Sequence, residues 1–190
     1  MMIRRAFLKG SVAAVAAVCA PLSAEGFTSQ KKIAFISEVA GETGYINALS
    51  NANSTKTDDI VLLGSDKLQN LTTFSEVIEK NKGALICGLL EQSDYMLLHH
   101  IAALHGAKFI SETAHTPVDR GTRHTETSFL KLSVKKAFDQ FAEVNTDQYG
   151  MALSSYHTIG LYTTADDAKE MSFVSHHTAK NAFVSFILNA

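Results

Sequence analysis

Between Ser111 and His124 the chain crowds Glu112, His115, Asp119, Arg120, Arg123 and His124 into one polar stretch. Two chemistries are open to such a set. Glu112, His115 and His124 are residue types that ligate a metal. Arg120 and Arg123 are types that clamp an anion or carboxylate through paired N–H bonds. The two compete, because a pair of guanidinium groups repels a cation, and the spacing matches no zinc signature. A third reading is a solvated loop with local ion pairs. Pro117 and Gly121 fall inside the stretch, which favours a loop over residues 114–127. Long polar loops on rigid scaffolds are where function concentrates.

Four further polar groups stand where apolar runs end: Ser37-Glu38, Gly64-Ser65-Asp66, Glu91-Gln92-Ser93 and Ser111-Glu112. If those runs are parallel strands, the groups converge on one edge, where open α/β sheets bind ligands. The candidate ligand-binding set is therefore Glu38, Asp66, Glu91, Glu112, His115, Arg120, Arg123 and His124. The other histidines point to packing. His100 shares a helical face with Met96 and Leu104, as a core histidine would. His105 sits at a helix C-terminus, where a cation suits the dipole. His176 and His177 are adjacent, so on a strand only one can face the core. Cys87 lies in the apolar run 83–90, the setting of a buried structural thiol. No Gly-x-Ser-x-Gly, Gly-x-Gly-x-x-Gly or phosphate-loop motif occurs, and no iron–sulfur ligand set. No cofactor and no catalytic residue can be named from the sequence.

The elements that must position these residues alternate in type. Apolar runs at 32–37, 60–63, 84–90 and 108–112 read as strands. Segments 72–82 and 95–105 read as helices, the second capped by Ser93 or Asp94 and ended by Gly106. Such alternation predicts an α/β fold: a three-layer, mostly parallel sheet with helices on both faces. In the second half, Val134, Ala137, Phe138, Phe141 and Ala142 follow helical spacing. Residues 172–176 and 182–188 read as strands joined by a turn near 179–181, a C-terminal antiparallel hairpin.

The first 24 residues differ from all of this. A short cationic segment carrying Arg4, Arg5, Phe7, Leu8 and Lys9 precedes an uncharged Ala/Val run, Gly10 to Ala20, and a small-residue stretch, Pro21 to Ala24. This is the three-part layout of an export signal, with an apolar core shorter than the roughly 20 residues that span a bilayer. The run Arg4-Arg5-Ala6-Phe7-Leu8-Lys9 resembles the twin-arginine consensus. The resemblance implies recognition by the twin-arginine translocase, passage to the periplasm in the folded state, and a co-exported protein as a possible companion. Cleavage is expected after Ala24, with Ala20 second. It divides the chain into a signal (1–24), a linker (25–31) and a single domain (32–190).

Removing the signal takes Arg4, Arg5 and Lys9 and no acidic residue. That leaves 14 basic against 19 acidic residues, a formal charge of −5. A mildly acidic domain is poorly suited to nucleic acid, whose binding rests on phosphate neutralisation. Cys87 would remain alone, without a disulfide partner, as suits a protein that folds in a reducing compartment. No later apolar run is long enough for a stable membrane span. The composite expectation is an exported binding or accessory protein. The alternative is a small periplasmic enzyme or metal-binding protein using the 111–124 segment.

Overall fold

The computed structural model describes residues 31–51, 59–130, 133–139, 150, 152–154, 156–157, 164–176 and 180–190. The export segment and most of the linker lie outside them. The fold is α/β, built on one seven-stranded mixed sheet. Its strands are β1 (Lys32–Ser37), β2 (Asp59–Leu63), β3 (Leu85–Glu91), β4 (Lys108–Val118), β5 (Gly121–Leu130), β6 (Thr164–Ser175) and β7 (Phe183–Asn189). The helices are α1 (Tyr45–Asn51), α2 (Lys67–Lys80), α3 (Gln92–His105) and α4 (Val134–Asp139), with a 3₁₀ segment over Glu38–Thr43.

The expected mostly parallel sheet is corrected. Strand order is β2-β1-β3-β7-β4-β5-β6, and among the described residues only β1–β2 and β1–β3 pair in parallel. β4 does run in the same direction as β3. However, β7 returns from the end of the chain and inserts between them, antiparallel to both. The expected terminal hairpin is corrected for the same reason: β6 pairs with β5, while β7 lies in the sheet interior. The unbroken apolar sequence of β7, buried from Phe183 to Leu188, is what a strand covered on both faces requires.

The predicted 114–127 loop is instead a β4–β5 hairpin, closed by Asp119 and Arg120 between the paired Val118 and Gly121. Gly121 has φ +145°, and a Cβ there would stand 1.9 Å from the Ser175 carbonyl oxygen, so the turn demands glycine. Pro117 is tolerated because the β7 pairing of β4 stops at His115, leaving no second ladder to break.

Alternate strand residues feed two interiors. Ile33, Phe35, Ile86, Leu90, Phe186 and Leu188 pack with α2 and α3. Ala34, Ile36, Leu85, Leu89, Phe183 and Ile187 pack with α1, α4 and helical residues among 152–154 and 156–157. Gly88 sits where the sheet has no room: a Cβ would meet the Phe35 carbonyl oxygen at 2.2 Å and the Phe186 ring at 2.7 Å.

Candidate functional site

At the carboxyl edge of the parallel strands the structure assembles an ion-pair network. Buried Asp94 accepts from Ser37 Oγ at 3.0 Å, Lys67 Nζ at 2.8 Å and Asn70 Nδ2 at 2.9 Å. Lys67 also reaches Glu91 at 3.4 Å. The hydrogen bond to Asp94 is the main reason the Lys67 ammonium holds its proton more tightly than usual. Asn70 donates to the Gly64 carbonyl, and the Glu91 N–H donates to Ser37 Oγ. Asp94 therefore does not cap α3, whose N-cap position is Glu91.

Of the predicted strand-end residues, Glu91 joins this network. Asp66 does not, because its carboxylate caps α2 by accepting from the N–H groups of Leu68 and Gln69. Glu38 is exposed in the 3₁₀ segment. Glu112 lies mid-strand rather than at a strand end, half-buried, and burial raises its carboxyl above the usual range. Each member of the network satisfies its neighbours, and the cluster reads as a clasp joining β1, α2 and α3.

The second cluster lies on the opposite side of the sheet, over β4, β5 and β7. Register sets it out as a grid. Ser111, Thr113 and His115 project to one face of β4, because residues two apart on a strand share a face. Opposite them on β5 stand Ser128, Glu126 and His124. Opposite Thr113 and His115 on β7 stand Ser185 and Phe183. All of these polar residues are at most 2 % exposed.

Tyr156 lies over one side of the grid, its hydroxyl 2.7 Å from Ser111 Oγ and 3.1 Å from Ser128 Oγ while donating to Glu126 Oε1 at 2.7 Å. The other Glu126 oxygen accepts the Val134 N–H at the start of α4. On the other side, His115 Nδ1 meets His124 Nδ1 at 2.7 Å, and their outer nitrogens bond Ser185 and Ser175 at 2.8 Å. Next to Tyr156, His157 Nδ1 is hydrogen-bonded to Tyr45 Oη, which contacts Cys87 Sγ at 3.9 Å.

Burial drives this face towards neutrality. It lowers the proton affinity of His115 strongly, helped by His124 and His157, and brings His157 down to about 3. It raises Glu126, Tyr45 and Tyr156, and it pushes the Cys87 thiol up to about 11. Cys87 is thus an inert thiol at neutral pH, not a nucleophile.

Among the described residues, two buried polar atoms on this face have no hydrogen-bond partner: Thr113 Oγ1 and His157 Nε2. Thr113 is the centre of the grid, flanked by Ser111, His115, Glu126 and Ser185. Tyr95 Oη is also unpartnered, but on the apolar side among His99, Phe109 and Phe186.

The predicted 111–124 set is thereby split. The structure joins His115 and His124 across the hairpin. Glu112 and Arg123 belong to the other face of the sheet, being an odd number of residues away from them along the same strands. Arg120 is in the turn. The ligand trio Glu112, His115 and His124 is therefore not assembled, and no group of three or more metal-ligating residues occurs among the described residues. His100 is exposed on the Met96–Leu104 face of α3, which corrects its reading as a core histidine. His176 follows the end of β6, and His177 lies outside the described residues. No helix among the described residues is long and apolar enough to cross a membrane.

Sequence reasoning missed Thr113, Glu126, Tyr156 and His157. The available signal was composition: three β-favouring threonines over 122–128. That every second residue there is buried is seen only in the structure, because buried and exposed positions are alike polar. Comparison with protein-family models, with curated proteins and with solved structures finds no match.

Proposed function

We propose that this chain is exported through the twin-arginine route and acts in the periplasm as a binding protein for a small uncharged polar molecule. Its site is the polar face of β4, β5 and β7. The observation that carries the binding half is the pair of unpartnered buried atoms, Thr113 Oγ1 and His157 Nε2, in a polar setting. Leaving a buried donor or acceptor unmatched costs roughly 1–3 kcal/mol, and a ligand offering a hydroxyl or carbonyl group removes that penalty. An uncharged ligand fits because the shifted side chains of this face all favour their neutral forms. The export half is supported by Arg4-Arg5 in register with Phe7, Leu8 and Lys9, and by the solitary Cys87. A metal-binding role has less support, because His115 and His124 turn their Nδ1 atoms on each other.

Two experiments test the proposal. Cell fractionation of the full chain with Arg4→Lys and Arg5→Lys together is expected to leave the protein in the cytoplasm. Export of that variant at the wild-type level contradicts the route. Protein purified from exporting cells, denatured and read by mass spectrometry, is expected to release a neutral polar compound at near one per chain. The Thr113→Val protein is expected to release at least about tenfold less, as loss of about 1.4 kcal/mol implies. A wild type that releases nothing contradicts the binding role.

A further inference from the structure

We propose that Ser175, His124, His115 and Ser185 form an acid-operated latch that holds β6 and α4 against the polar face and releases them when the histidine pair takes up protons. The chain of contacts crosses four strands, β6, β5, β4 and β7, through three hydrogen bonds of 2.7–2.8 Å. Proton counting follows from the geometry. A neutral pair carries two ring protons, one between the facing Nδ1 atoms and one on an outer nitrogen. A third proton fills the remaining outer nitrogen and leaves every contact intact, at the expense of a buried charge. A fourth places two N–H groups head to head at 2.7 Å, and the pair must separate.

The moving parts are set by what touches the rings. His124 lies between Phe138 of α4 and Phe173 of β6, with centroid distances of 4.5 Å and 4.6 Å. Displacing it therefore loosens those two elements first. The titratable group that acts on His115 besides His124 is His157, and Glu126 stands two residues from His124 on the same face of β5. Tyr156 bonds Glu126, and Tyr45 bonds His157 and contacts Cys87, rather than either imidazole of the pair. β7 brings Ser185 and Phe183, neither charged. Glu126 already uses both oxygens on Tyr156 and Val134. The latch does not depend on what the face binds.

Hydrogen–deuterium exchange of the full chain at pH 7.5 and pH 5.0, corrected for the chemical exchange rate, tests it. Protection over 121–130 and 164–175 is expected to fall by about tenfold or more, the linkage of one proton over one pH unit. β1 and β3 are expected to lose protection less steeply. Unchanged protection, or equal loss in every strand, overturns the latch. The double variant His115→Gln, His124→Gln is expected to lose the acid response, and its persistence overturns the proposal. Should that variant not fold, imidazole NMR of the wild type decides the matter. Protonation of the pair must coincide with the loss of protection; loss while both rings stay neutral, or full charging with protection intact, overturns the proposal.

Discussion

One sheet serves two unlike interiors. Facing α2 and α3, its strands present Ile33, Phe35, Ile86, Leu90, Phe186 and Leu188, and Phe74 of α2 meets Phe35 edge-on at 5.0 Å. Facing residues 152–154 and 156–157, the sheet presents a second apolar cluster through Ala34, Ile36, Leu85, Leu89, Phe183 and Ile187, and beside it β4, β5 and Ser185 of β7 set serines, threonines, histidines and Glu126, buried equally deeply. Apolar packing is enough to specify the first side. The second is costly to desolvate, and it retains two unmatched atoms in polar company. Apolar clusters on both sides stabilise the fold, so the polar patch beside the second is where function is to be sought.

Four predictions bear on that contrast. Phe74→Ala is expected to destabilise by about 3–5 kcal/mol in urea denaturation, with ligand release unaltered once folded. A small change would mean that the apolar side is not the main source of stability. Asp94→Ala, which strips Ser37, Lys67 and Asn70 of their shared acceptor, is expected to cost about 3 kcal/mol, again in urea denaturation. Ligand release from the folded variant is expected to match wild type; its loss would move the site to the strand-end cluster.

Acid acts on the polar side. His115 and His157 bind protons more weakly in the folded chain than an unfolded imidazole does. Stability is therefore undiminished above about pH 6.5 and falls as the unfolded chain protonates, by up to about 1.4 kcal/mol per pH unit per histidine. For His157 the loss continues to about pH 3. Urea midpoints measured from pH 7.5 to 4.5 check the slope, and a flat profile would remove burial as its cause. Thr113→Val has the smallest expected effect on folding, within about 1 kcal/mol and towards greater stability, since it deletes an unmatched hydroxyl. Marked destabilisation would show that the hydroxyl is structural.

How much of this was legible in the sequence follows the same divide. Strands β1 to β3 and α3 could be read because apolar runs and Gly106 mark them, whereas α2 starts at Lys67 and not at residue 72, since Asp66, expected to be a strand-end ligand, is its cap. The place of β7 could not, because a continuous apolar strand does not say which neighbours it enters between. Nor could the β4–β5 hairpin, whose inward positions are His115, His124, Glu126 and Ser128. Polar residues occupy both phases there, so no period-two alternation of hydropathy marked the strands, and Pro117 argued for a loop. His115 and His124 were picked out together with Glu112, from which strand geometry separates them. Thr113 and His157 stand out only once their surroundings are known.

The most direct measurement is a crystal structure of the protein purified from exporting cells, at a resolution that shows ordered water. The account predicts non-protein density larger than one water within hydrogen-bonding distance of Thr113 Oγ1 or His157 Nε2. A lone water there, or both atoms bonded only to the protein chain, would contradict it.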